Sequence, residues 1–234
     1  MTVLMILAVF AAFVGLDLGV QFLRRRRALR GAGAPAGVFA LPASMVGGLR
    51  LPRGVGFHGR HTWARALDPV TVLVGIDDLA ARLLGRASGV VVPVPGARVR
   101  EGVRGFRVRA DNRVADLVSP VDGTVVEVNP ALDDDPALCV AAPYDQGWLC
   151  KVRVADAASA VARLVQDRAA AHWMRDERAR LMDGLAACAG GRLAADGGEP
   201  VDDLGTHLDR ETWEVLVRDF LAADSQRRTR EDGR

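Results

Sequence analysis

Lysine is almost missing from this chain. Of its 31 basic residues one is a lysine, Lys151, so chemistry that needs an ε-amine has a single candidate. The rest of the positive charge is arginine, and the net charge is only +2, which implies little about partners by itself. Aromatic residues make up 5% of the chain and do not alternate with the arginines, so no stacking platform for nucleic acid is present. The cysteines, Cys139, Cys150 and Cys188, are odd in number, lack a Cys-x-x-Cys pair and have no histidine at metal spacing. They read as buried or free thiols in a reducing compartment, not as a disulfide framework or a zinc site. His58, His61 and Trp63 lie close together, but no third ligand is near, and packing is the better reading. Asp133, Asp134 and Asp135 are consecutive, without the alternation of a calcium loop. No phosphate loop and no Ser-His-Asp constellation stands out, so an enzyme is the weakest reading.

Half of the residues are apolar, enough for one ordinary core with appendages. The longest apolar run, residues 2–23, is interrupted only by Asp17 and Gln21. At ~1.5 Å per helical residue it spans a bilayer core of roughly 30 Å. Four arginines, Arg24 to Arg27, come directly after it, the reverse of a cleaved signal peptide. Residues 1–27 therefore read as a single transmembrane helix with a basic flank. The positive-inside rule places the chain beyond Arg27 on the cytoplasmic face of the inner membrane. Residues 28–54, rich in Gly, Ala and Pro, read as a linker.

The centre of the chain is a β pattern. Phe106 and Val108 alternate with Arg107 and Arg109, Asp111-Asn112 marks a tight reversal, and Asp122-Gly123 marks a second turn before the next valine-rich strand. Asp77 to Gly85 predicts a helix, with acids in the first turn, Leu79, Leu83 and Leu84 on one face and a glycine C-cap. A strand is expected over Leu149 to Val154. Six arginines fall between Arg98 and Arg113, against Glu101 and Asp111. They read as a solvated strand face, with docking onto an acidic protein or lipid phosphates as the alternative.

The segments HTWAR (61–65), VLVGIDDLAARLLG (72–85), VADLVSPVDGTVVEVNPAL (114–132), DDDP (133–136) and PYDQGWLCKV (143–152) together resemble the glycine cleavage system H proteins, which are lipoyl-domain carriers. The resemblance covers residues 55–155. It implies an α+β, mainly β fold, a lipoyl-type barrel-sandwich hybrid. It also implies a lysine at a hairpin tip, five residues before a Leu-x-Ser-Pro segment, where lipoate is attached as an amide. Counting back from Leu117-Val118-Ser119-Pro120, that position is Asn112. The family's glutamate three residues earlier is Arg109. A carboxamide nitrogen is not nucleophilic and is not acylated as an amine is, so no lipoate is expected. Arg109, Asp111 and Arg113 then form the hairpin tip and a docking surface.

Residues 156–234 read as a helical extension with a disordered tail. A long helix is expected over residues 156–189. A second is expected over residues 208–222, with Asp209 as N-cap and Trp213, Leu216, Val217 and Phe220 on one stripe. That stripe reads as intramolecular packing, with a partner-binding helix as the alternative. These readings favour a membrane-anchored, H-protein-like docking or scaffold module with unidentified protein partners. The alternative is a working lipoyl and aminomethyl carrier, which would have to use Lys151.

Overall fold

The computed structural model describes residues 43–188 and 203–223, all of them part of one compact unit, residues 41–234. The expected transmembrane segment lies outside the described residues, as does the charged tail. Among the described residues no helix is long and apolar enough to cross a membrane.

Two antiparallel sheets carry the domain. The larger has β3 (Gly56–Phe57), β4 (Thr62–Asp68), β5 (Thr71–Ile76), β11 (Cys150–Arg153), β10 (Gly123–Val128) and β7 (Arg98–Val99), hydrogen-bonded in that order. The smaller has β6 (Ala87–Val91), β8 (Arg104–Ala110) and β9 (Arg113–Val118) in that order. The alternation read from sequence sets which face is buried. On β8, Phe106, Val108 and Ala110 point inward while Arg107 and Arg109 are exposed, and on β9 Ala115 and Leu117 are buried while Val114 is exposed. A period of two places every second side chain on one face. The mainly β character expected from the sequence is what these elements form.

Helix α1 (Asp78–Leu84) comes after β5. The Asp77 side chain accepts from the Ala80 N–H at its start, and Gly85, at φ +72°, closes its end. Both caps follow from residue type: a carboxylate satisfies an orphan N–H, and glycine adopts the left-handed turn. Short helices α2 (Ala131–Asp134) and α3 (Leu138–Ala141) lead to β11.

Two expectations are corrected. The linker read over residues 28–54 contains a hairpin of β1 (Ala43–Val46) and β2 (Leu49–Pro52), whose Val46, Leu49 and Leu51 are buried. The Arg50 backbone N–H donates to Asp78 Oδ2 at 3.0 Å, so this strand pair is part of the domain. The helix expected over residues 156–189 is two helices, α4 (Ala157–Ala162) and α5 (Asp167–Cys188). Between them Val165 leaves the helical path to exchange two backbone hydrogen bonds with Phe57, and Asp167 takes φ +49°. A pairing partner distant in sequence overrides helix propensity there.

The carboxy-terminal stripe packs within the chain, the first of the two readings its spacing allowed. Helices α6 (Leu204–His207) and α7 (Arg210–Phe220) complete the described chain, and Asp209 caps α7 by accepting from the Thr212 N–H. Trp213, Leu216, Val217 and Phe220 are buried within this chain, and the Trp213 indole N–H donates to the Leu83 carbonyl at 2.9 Å. The stripe covers α1 and is not free for a partner. Trp213→Ala should therefore destabilise the fold by roughly 3–5 kcal/mol in urea titration, whereas Val114→Ala on the exposed face should stay within about 0.5 kcal/mol. A Trp213 variant as stable as the parent would mean that α7 does not belong to the core.

Candidate functional site

The hairpin between β8 and β9 reverses in two residues. Ala110 pairs with Arg113, and Asp111 and Asn112 form the turn. Asp111 takes φ +52°, a conformation that Asp and Asn tolerate better than most side chains because their short polar groups bond locally. Asp111 and Asn112 are both exposed. Position 112 thus stands at an open bend, as the sequence implied, and it carries a carboxamide. Arg109 is exposed one strand step below, its guanidinium lying beside Gly89 on β6. Farther down the same face, Arg107 and Arg104 both bond Asp116, at 2.8 and 3.2 Å.

Arg113 does not join that surface. It turns inward and is 8% exposed. Its guanidinium donates to the carbonyls of Gly205 (2.7 Å) and Leu208 (3.3 Å) and lies 4.6 Å from the centre of the Trp213 ring. Burial lowers its pKa, partly opposed by the charge of Asp111. Carbonyl acceptors and the ring face satisfy the cation without a carboxylate. Of the three tip residues read from the sequence, Arg109 and Asp111 are exposed and Arg113 is buried.

The only lysine is elsewhere. Lys151 lies on β11, its Nζ 2.7 Å from Glu127 Oε2 and 5.4 Å from the Trp148 ring centre. It sits within a paired strand of the larger sheet, not at a mobile tip. Cys139 and Cys150 are buried, and burial pushes both thiols up to about 12, far from a reactive thiolate. Cys188 is exposed at the end of α5.

Sequence reasoning missed a buried charge cluster. His61, at φ +59°, is fully enclosed. Its Nδ1 is 2.8 Å from Asp77 Oδ2, and its Nε2 faces Glu177 Oε2 of α5 at 3.5 Å, an ion-pair distance without a formed hydrogen bond. Trp173 stacks on the imidazole at 5.1 Å, and Phe220 closes another side at 5.8 Å. Arg180 in turn bonds both oxygens of Glu177. His61 was visible as a packing residue and Asp77 as an acid of the first helical turn, but Glu177 sits in an unremarkable run of charged helix, and no local pattern joins the three. Among the described residues no group of three or more such side chains is placed to hold a metal ion.

Among known proteins, the family model for the glycine cleavage H-protein matches residues 55–177. A probable glycine cleavage system H protein of Thermococcus kodakarensis is 34% identical over 130 residues, covering 56% of this chain and 96% of that relative. The glycine cleavage system H protein of Micrococcus luteus is 39% identical over 109 residues, 46% of this chain and 85% of the relative. The crystal structure of an H protein from Mycobacterium marinum aligns at 33% identity over 46% of this chain and 88% of that chain, with a TM-score of 0.43.

The cluster gives stability a pH signature. Burial pulls the His61 pKa down, but the charge and hydrogen bond of Asp77, aided by Glu177, outweigh it and raise the value from 6.5 to about 9. The unfolded chain releases this proton first, so the contribution is complete below about pH 6.5 and fades as pH rises to about 9. The Glu177 pKa is lowered: burial acts to raise it, and the facing His61 with the charge and bonds of Arg180 prevails. Its contribution is present above the ordinary carboxylate range and lost in acid. The melting temperature should fall between pH 6.5 and 9, and His61→Asn should flatten that slope. An equal slope in both proteins would remove His61 as its source.

Proposed function

This chain belongs to the glycine cleavage H-protein family, and from that premise we propose that it is a docking or scaffold module that does not carry lipoate. The observation that carries this reading is the pairing of Asn112 at the exposed bend with the confinement of Lys151 to a strand. A lipoyl arm needs an amine that is both nucleophilic and free to move. Asn112 is free and not nucleophilic, while Lys151 has the amine and is bound to Glu127.

The relatives are named as glycine cleavage system H proteins, and this favours a second reading, that of a lipoyl and aminomethyl carrier. It would require acylation of Lys151. That amine would have to leave its ion pair and the Trp148 face, and the root of the arm would be a backbone hydrogen-bonded on both sides. The docking reading requires no such rearrangement. Residues 2–23, with Arg24 to Arg27 behind them, tether the module to a membrane in this proposal. The folded domain lies on the cytoplasmic side and meets protein partners there.

Intact-mass measurement on the native protein, with an anti-lipoate blot beside it, should find no lipoyl adduct. An adduct at any residue would return the chain to the carriers. Protease added to intact cells should leave the domain whole, and its digestion would reverse the orientation.

A further inference from the structure

Helix α7 is fastened to the rest of the domain at both ends. Near its start, Arg210 Nη2 donates to the backbone carbonyl of Asn112 at 3.2 Å. At its far end, Arg60 Nη1 donates to the carbonyl of Asp219 at 2.6 Å, and the Arg180 guanidinium lies 4.9 Å from the Phe220 ring centre. Between them Trp213 bonds Leu83, and Arg113 of the hairpin reaches back to Gly205 and Leu208. Both residues on the carboxyl side of the turn, Asn112 and Arg113, are thus bonded to the α6–α7 segment. The family match ends at residue 177, so this segment lies beyond what the chain shares with that model.

The seam between α6 and α1 is backbone against backbone. A Cβ at Gly205 would stand 2.1 Å from the Leu83 carbonyl oxygen and 2.7 Å from the Leu84 carbonyl carbon. A Cβ at Gly85, itself at φ +72°, would meet the Thr206 nitrogen at 2.9 Å. Only glycine allows such an approach, so the sequence is fitted to dock α6 here. The cation–π and carbonyl contacts of Arg113 are buried and depend on that docking.

We propose that α6 and α7 form a clamp on the β8–β9 hairpin. It is an intramolecular occupant of the surface beside the tip, which holds the Asn112 turn against the body of the domain and keeps that surface from other proteins while it is docked. The bracing of the tip rests on the contacts of Arg113 and Arg210. Its consequence for modification rests on Asn112 being the position of the family's attachment lysine.

Gly205→Val tests the clamp, because the added side chain wedges α6 from α1 without altering the sheets. Hydrogen exchange of the amides at residues 111–113 should accelerate at least ~10-fold, with β10 and β11 unchanged. Unaltered tip exchange overturns the clamp. If β10 and β11 also loosen, the surface variant Arg210→Ala decides, with at least ~3-fold faster exchange at Asn112 and Arg113 expected and no change overturning the proposal. A second arm places Asn112→Lys in the parent and in the Gly205→Val chain, each given lipoate–protein ligase, lipoate and ATP. The lysine amine attacks the acyl carbon of lipoyl-adenylate, an amide forms, AMP leaves and the amine proton passes to water. Acylation at least ~10-fold faster in the wedged chain supports closure of the surface. Equal, measurable rates overturn closure. No adduct in either chain, with faster tip exchange in the wedged one, upholds the bracing and overturns the assignment of Asn112.

Discussion

A histidine enclosed between two carboxylates fixes the centre of this protein. His61 lies between Asp77 and Glu177 with aromatic rings over it, and each of the three comes from a different part of the chain: the entry to β4, the N-cap of α1, and α5. Removing one member of such a set leaves a charge buried without its counterpart, which costs several kcal/mol, typically about 3–5. The cluster is therefore less a source of net stability than a constraint on arrangement. α5 must lie where Glu177 can face the imidazole, and α1 must begin where Asp77 can serve both the histidine and its own first turn. Phe220 closes the same site, so the placement of α7 is tied to it as well.

From that centre the carboxy-terminal helices reach the hairpin tip. The contacts run without a gap from Glu177 through Arg180 and Phe220 along α7 to Trp213, Arg113 and the Asn112 carbonyl. A lipoyl-type hairpin that works as the root of a swinging arm gains from a tip with few ties to its surroundings. Here two consecutive tip residues are tied to a segment beyond the family match. The Asn112 carboxamide and these ties come from different parts of the sequence and meet at the same turn.

The features legible in advance came from short-range rules. The strands of the hairpin, the Asp111-Asn112 reversal, the Gly85 cap of α1 and the cap at Asp209 depend on neighbours within a few residues, and all are present. The features that stayed hidden depended on distant contact. Arg113 looks like a surface arginine among five others, and only Trp213 and two carbonyls on α6 and its connector turn it inward. Residues 43–52 look like linker because Gly47 and Gly48 resemble linker composition, yet they form the turn of a hairpin whose apolar residues are buried. The break between α4 and α5 came from Phe57, far outside any helical window. Glu177 carried no signal at all, since a carboxylate in a charged helix is ordinarily solvated.

The scarcity of lysine takes on meaning only with the geometry. A composition with one lysine would be compatible with a carrier if that lysine stood at the tip. It stands instead on β11, where its neighbours in the sheet pair on both sides and Glu127 takes its charge. At the tip the left-handed conformation falls on Asp111, and Asn112 completes the reversal beside it. The backbone requirement of the hairpin and the chemical requirement of an arm are separable, and Asn112 satisfies only the first. In the docking reading, the exposed face bearing Val91, Arg107, Arg109 and Val114 is the surface open to a partner.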